Sequence, residues 1–278
     1  MDVWYTEKHQ NEAGITLKVK DILYGGQSEF QKVDIIDTEA YGKMLLLDGL
    51  VMTSEKDEFF YHEMISHIPM LAHSRPESVL VIGGGDGGTV REVLKYNSVK
   101  EVVLCEIDEM VIDASKEFLP SIAGMLDDKR VKINIEDAIK YIERQKNRFD
   151  VILIDSTDPL GPGVGLFTEE FYNNVKQALR KGGIMVAQTE SPLACQEDFK
   201  LINILLNKVF PIVKPYFAPV PTYPGAYWSW TFCSNDVQPK LNNETFAAQL
   251  EKETKYYNRD IHAAAFAMPN YVKSILSL

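Results

Sequence analysis

The stretch VLVIGGGDGGTVREV, Val79 to Val93, decides the reading of the fold. An apolar, mostly β-branched run stops at Gly83-Gly84-Gly85, passes through Asp86-Gly87-Gly88, and gives way to helical spacing from Thr89. A short apolar run bounded by glycines reads as a buried strand, and the glycines allow a tight turn and close backbone approach to a ligand. Such strand-to-helix turns usually receive an anion. Asp86 argues against that use, because its carboxylate repels a pyrophosphate. A GxGxxG match alone carries little weight, so the meaning of the turn depends on what surrounds it.

Around this stretch, strands and helices alternate. The strands read as SVLVIGG, EVVLCEID, VKINIED, FDVILIDS and GGIMVAQTE, and between them lie TVREVLKYN, EMVIDASKEFLPSI, AIKYIERQK, EEFYNNVKQALRK and QEDFKLINILLNKVF with helical spacing. Strands this apolar predict a parallel sheet covered on both faces. VKPYFAPVPTYP and YWSWTFCSN are expected to form an antiparallel pair at its edge. Upstream, GITLKVKDILYGG, SEFQKVDIIDT and GKMLLLDGLVMTS are short β-like runs separated by turn residues. A helix is expected over SEKDEFFYHEMISHIPMLAHS, with Phe59 or Phe60, Met64, Ile68 and Leu71 on one face and Ser54 or Asp57 as its N-cap. The reading is an α/β chain with a small all-β domain over residues 1–55 and a doubly wound, Rossmann-like catalytic domain over 56–278.

Composition sets the partners. Hydrophobic residues at 45% and charged residues at 25% describe an ordinary globular protein. A net charge of −11 disfavours nucleic acid and anionic membrane and leaves room for cationic substrates. The three cysteines, Cys105, Cys195 and Cys233, are widely spaced and read as free thiols in a reducing compartment. With no leader-like N-terminal pattern and no apolar run of about 18 residues, a cytoplasmic location follows by default.

Ligands of open α/β sheets bind beyond the carboxyl ends of the strands, so strand ends supply the candidate site residues. Glu106 ends the second strand about twenty residues after the glycine turn, where an acid binds ribose hydroxyls. Asp137 ends the third, placed to accept from an adenine amino group, with the backbone N–H of Ala138 beside it. Glycine turn, ribose acid and base-reading acid together indicate an adenosine compound. Since Asp86 excludes phosphate, S-adenosyl sulfonium compounds fit best. The fourth strand delivers Asp155 and Asp158 in DSTDPLGPG. Three acids converging with no Lys or Arg in the same loops call for a cation to join them.

The segments VLVIGGGDGGTVREV, EVVLCEIDEMVI, DSTDPLGPGVGLFTEEFY, YHEMISHIPML and PTYPG closely resemble the polyamine aminopropyltransferases, in order and almost end to end. The resemblance implies a class I methyltransferase-type sheet and transfer of the aminopropyl group of decarboxylated S-adenosylmethionine to putrescine, giving spermidine and 5′-methylthioadenosine. The donor is a co-substrate, and no cofactor or metal is implied. Glu106 is then expected to hold the ribose, Asp137 and Ala138 the adenine, and Gln31 and Pro162 the nucleoside and methylthio region. Asp86 lies near the aminopropyl ammonium, attracting the decarboxylated donor and disfavouring its carboxylated precursor. Asp155 is the expected catalytic proton acceptor. Tyr61, His62, Asp86, Asp155, Asp158, Gln188 and Tyr223 line the polyamine path, while the roles of Trp228 and Trp230 stay open. The family also suggests homodimers or homotetramers.

Other readings account for less of the sequence. His62, Glu63 and His67 form HExxxH, one residue too long for a zinc-binding HExxH, and its histidines diverge on a helix. A sulfonium-dependent methyltransferase shares the nucleoside half but lacks a reason for Asp86. A non-catalytic polyamine or nucleoside sensor has no need of Asp155. The glycine-rich Gly161–Phe167 segment reads either as a mobile lid or as a plain surface loop.

Overall fold

The computed structural model describes residues 2–9, 13–158 and 161–277, with the backbone alone for Gly161 and Pro162. Five strands come first: β1 (Val3–His9), β2 (Ala13–Gln27), β3 (Lys32–Thr38), β4 (Gly42–Leu47) and β5 (Leu50–Ser54). They pair in chain order, each antiparallel to the next. Alternation along the strands divides the apolar residues between two faces. Val33, Ile35, Leu45 and Leu47 pack toward the rest of the chain, whereas Leu17, Ile36, Met44, Leu46 and Val51 form a separate cluster.

Helix α1 (Glu58–Ala72) follows and is buried on nearly every side. The second sheet then builds through β6 (Ser78–Gly83), α2 (Gly88–Val93), β7 (Glu101–Glu106), α3 (Glu109–Phe118), α4 (Pro120–Ala123), β8 (Val131–Ile135), α5 (Ala138–Glu143), β9 (Phe149–Asp155), α6 (Glu169–Ala178), β10 (Leu179–Gln188), α7 (Gln196–Val209), β11 (Ile212–Pro219) and β12 (Tyr227–Ser234). The strand order is β11-β12-β10-β9-β6-β7-β8, parallel except for β12, which runs antiparallel to both β10 and β11. The doubly wound class and the antiparallel edge pair agree with the sequence reading. The helix expected from Glu109 is divided at Pro120, because proline cannot continue the hydrogen-bond ladder.

Period-two alternation explains how the sheet is covered. Val79 and Val81 face the cluster that contains Met64, Ile65 and Ile68 of α1, while Leu80 and Ile82 face Phe171 and Val175 of α6. Burying each such side chain contributes about 1.5–3 kcal/mol. Three short helices close the chain: α8 (Glu244–Leu250), α9 (Arg259–Ala264) and α10 (Asn270–Ile275). Glu63 on α1 anchors the segment before α9, accepting from the backbone N–H of Lys255, Tyr256 and Tyr257 at 2.7, 2.8 and 2.7 Å.

After β6 the chain winds outward through β7 and β8, then returns to place β9 on the other side of β6. The carboxyl ends of β6 and β9 thus form a topological switch point, the place where open α/β sheets bind ligands.

Candidate active site

At the switch point Gly83 is in register with Asp155. Gly84 has φ +69°, and a Cβ there would lie 2.7 Å from Asp155 Oδ2, so the turn can approach the carboxylate only as glycine. Thr89, at the start of α2, donates its hydroxyl to Asp155 Oδ2 at 2.6 Å. A cavity of about 720 Å³ opens here, and the expected residues Gln31, Tyr61, His62, Asp86, Glu106, Asp137, Ala138, Asp155, Asp158, Gln188 and Tyr223 all line it. The side chain of Pro162 lies outside the described residues.

One end of the cavity is built around Glu106 and Asp137. Glu106 Oε1 accepts from the backbone N–H of Ile107 and Asp108 at 2.8 and 3.0 Å. Burial nevertheless pushes its carboxyl up to about 7, against the pull of those amides. Asp137 caps α5 by accepting from Ile139 N–H at 2.9 Å through Oδ1. Gln31 donates to Asp108 Oδ2 at 3.0 Å, and the Ser28 hydroxyl reaches the same oxygen at 2.7 Å. Asp108 in turn caps α3. Leu45, Leu47, Leu50, Val51 and Met52 of the N-terminal sheet add apolar wall.

The middle of the cavity corrects the picture of three acids without a cation of their own. His62 is buried with Nδ1 2.6 Å from Glu58 Oε2 and Nε2 3.4 Å from Asp86 Oδ1. Burial opposes charge on the imidazole, but Asp86 and Glu58 outweigh it and hold its pKa well above that of a free histidine. The protein thus supplies an imidazolium next to Asp86. Burial alone would raise the Asp86 carboxyl; His62, the Gly88 amide and Arg91 bring it below the ordinary aspartate range. Asp155 goes the other way, raised by burial and by the Asp86 charge despite His62, Thr89 and Tyr61. Two neighbouring acids therefore take opposite protonation tendencies, the usual mark of divided chemical roles.

The far end holds a residue that the sequence reading missed. Glu190, two positions beyond Gln188, is buried and in hydrogen-bond contact with Asp158. Two carboxyl groups in such contact share a proton. Burial, the Asp158 charge and the Asp198 charge raise Glu190 well above an ordinary glutamate, and burial raises Asp158 as well, so the two hold a proton as a pair. The position is built with care: Glu190 has φ +66°, its N–H donates to Gln188 Oε1 at 3.1 Å, and its carbonyl accepts from Ser229 Oγ at 2.7 Å. Glu7 and His9 of β1 and Asp198 of α7 also border this end. The strand read as GGIMVAQTE ends on Glu190, so the strand-end rule already placed it at the rim; its pairing with Asp158 is what spacing does not reveal.

Aromatic residues separate the two ends. Tyr61 lies 5.7 Å from Tyr223 between ring centroids, and Tyr223 donates its hydroxyl to the Met52 carbonyl. Trp228 lines the cavity edge-on to Tyr223, with centroids 4.8 Å apart. Trp230 does not line it; fully buried, it supports Tyr61 from behind at 5.3 Å. His67 turns to Glu92 and Tyr96, at 3.0 and 3.1 Å, away from the partners of His62. The glycine-rich segment forms a 3₁₀ turn over Gly161–Leu166, and Gly163 and Leu166 border the cavity.

Residues 58–245 match the family model described as spermine/spermidine synthase domain, and residues 3–55 match the spermidine synthase tetramerisation domain. The polyamine aminopropyltransferase of Bacillus subtilis (strain 168) is 48% identical over 275 residues, covering 99% of each chain. Crystal structures give the same picture. A spermidine synthase in complex with the transition-state analogue AdoDATO superposes with a TM-score of 0.96 at 45% identity, over 99% of this chain and 95% of that one. The spermidine synthase of Thermotoga maritima gives 0.94 at 44% identity, over 99% and 94%.

Proposed function

We propose, on the premise that this chain belongs to the spermine/spermidine synthase family and is an aminopropyltransferase, that it makes spermidine and 5′-methylthioadenosine from putrescine and decarboxylated S-adenosylmethionine. The observation that carries this reading is the run of acids along one cavity: a ribose-type acid, then Asp86 and Asp155, then the Asp158–Glu190 pair. A donor with a cationic arm and a diamine acceptor give each acid a partner.

In this reading Glu106 accepts from the ribose hydroxyls, Asp137 and Ala138 hold the adenine, and Gln31 and Pro162 border the nucleoside and methylthio region. Asp86 receives the ammonium of the aminopropyl arm. A primary amine has a pKa of about 10.4, so roughly one in a thousand is neutral at pH 7. Asp155, with its raised proton affinity, takes the proton from the attacking nitrogen. That nitrogen bonds to the carbon beside sulfur, the carbon–sulfur bond breaks, and its electron pair leaves sulfur as a neutral thioether. The sulfonium is its own leaving group, so the chemistry requires no resident cofactor. Tyr61, Tyr223 and Trp228 keep water from the reacting nitrogen, and Asp158 with Glu190 holds the distal ammonium.

The test is a matrix of donors and acceptors. Methylthioadenosine release is expected with decarboxylated S-adenosylmethionine and putrescine, and not with the carboxylated donor. Methyl transfer from the latter, or preference for cadaverine, agmatine or spermidine over putrescine, overturns the assignment. Glu106 adds a pH signature. Its ionised form accepts the ribose hydroxyls and its pKa lies at about 7, so affinity falls as pH drops through that value. Calorimetry should find methylthioadenosine binding about fivefold weaker at pH 6 than at pH 7. Glu106→Gln should weaken binding and flatten this dependence; a flat profile in the parent protein refutes the ribose role.

The match of residues 3–55 to a tetramerisation domain supports a homo-oligomer, dimer or tetramer. Val3 and Trp4 of β1 and Ile22 of β2 are exposed and offer apolar surface for that contact. No helix among the described residues is long and apolar enough to cross a membrane.

A further inference from the structure

Behind the reaction centre lies a line of alternating charge that reaches it only through His62. Arg91 Nη2 is 2.7 Å from Glu58 Oε2, and the same oxygen is 2.6 Å from His62 Nδ1. His62 Nε2 then stands 3.4 Å from Asp86 Oδ1, which also accepts from Gly88 N–H at 2.8 Å. Both imidazole nitrogens therefore face carboxylate oxygens. A neutral ring has one nitrogen without hydrogen, and that lone pair would oppose an oxygen lone pair. With both carboxyls ionised, the geometry fits only the doubly protonated ring.

The ring is also held sterically. A Cβ on Gly88 would lie 2.2 Å from His62 Cε1, so the imidazole occupies space that only glycine leaves open. Tyr61 packs edge-on to it at 5.5 Å. The charged or titratable groups facing His62 are Glu58 and Tyr61 on its own helix, Asp86 in the turn after β6, Asp155 at the end of β9, and Arg91 of α2 through Glu58. Glu58 and Arg91 do not line the cavity.

We propose that Glu58, fixed by Arg91, is a positioning residue that keeps His62 a permanent cation, so that Asp86 stays ionised while the neighbouring Asp155 remains free to take the substrate proton. The inference deepens the aminopropyl-transfer reading and rests on the role given there to Asp155. Without the imidazolium, two buried carboxylates would face each other uncompensated and hold a proton between them at neutral pH. That proton would occupy the base before the amine arrived. Because Asp86 Oδ1 is already engaged by His62 and Gly88, Oδ2 is the oxygen left for the donor ammonium.

The test uses the full-length protein with Glu58→Gln and Glu58→Asp, measuring kcat against pH at saturating donor and acceptor. Glu58→Gln is expected to move the acidic limb upward by about one pH unit, a loss of about tenfold along that limb. Glu58→Asp should restore most of the parent profile. Affinity for methylthioadenosine, which lacks the aminopropyl arm, should change by less than about twofold. A uniform loss with an unshifted limb overturns the proposal. Should Glu58→Gln not fold, the parent protein still decides: ¹⁵N spectra of its imidazoles, with His62 assigned through His62→Gln, should find both His62 nitrogens protonated from pH 6 to 9. A titration of His62 within that range refutes the proposal. Absence of turnover in the parent protein would instead refute the substrate reading, leaving the imidazole spectra to judge the charge relay alone.

Discussion

Replacing Asp155 by asparagine lowers kcat by about 10²–10⁴-fold, the usual worth of a general base, while methylthioadenosine still binds. The substitution keeps the shape of the side chain and an oxygen to accept from Thr89, so the turn around Gly84 has no reason to move. What it removes is the one acid at the reaction centre whose proton affinity is raised rather than lowered. It also removes repulsion against Asp86, so thermal stability should hold or rise. Rapid-quench measurement of the first turnover isolates the chemical step. Equal losses in turnover and in nucleoside binding would place Asp155 in general binding and not in proton transfer. In the parent protein, activity should fall on the acid side as Asp155 becomes protonated, at a pH above that of an ordinary aspartate.

Changing Glu190 to glutamine separates stability from acceptor binding, with opposite signs. The Asp158–Glu190 pair holds a proton because burial raises both acids and their charges oppose each other. An acid whose folded-state pKa is raised contributes stability below its unfolded pKa and loses it as pH climbs toward the folded value. Glutamine never ionises and escapes that loss, so Tm should rise at pH 8 and stay unchanged near pH 4. Acceptor binding should move the other way. A hydrogen bond to a charged group contributes about 1.5–3 kcal/mol, so the acceptor KM should increase by about 10- to 100-fold with donor KM little changed. Lower stability at pH 8, or an unaltered acceptor KM, would mean that Glu190 is a structural residue and not part of the diamine path.

Much of this site could be read from strand ends. Glu106 and Asp155 end their strands and Asp137 follows two residues after β8, and strand ends gather at one rim of a parallel sheet. Their individual roles came from the family resemblance, since spacing alone does not distinguish a proton acceptor from an ammonium ligand. Glu190 escaped because its role rests on contact with Asp158, 32 positions away, which strand spacing does not reveal. Glu58 escaped for a different reason. Polar residues on a helix suggest a solvated face, yet Glu58, His62, Glu63, Ser66 and His67 are all buried because α1 is enclosed on its polar side as well. The chemistry of that helix lies in pairings with Arg91, Asp86 and Glu92, which no periodicity reveals. Strand β1 announces itself weakly, because a seven-residue strand with mostly polar residues carries little periodic signal. The closing helices were likewise too short to announce themselves, although Asn243 and Asn258 cap two of them.

The N-terminal sheet grips the larger layer at two separated points. Ser28 and Gln31 hold Asp108 beside Glu106, while Glu7 and His9 border the acid pair at the opposite end. The chamber is therefore a joint rather than a pocket carved into one module. Anything that shifts the sheet would disturb both ends of the chamber in concert, and on the proposed reading the affinity for both substrates with them. A lesion confined to one wall would leave the other substrate's affinity untouched, and that contrast distinguishes loosened assembly from local damage.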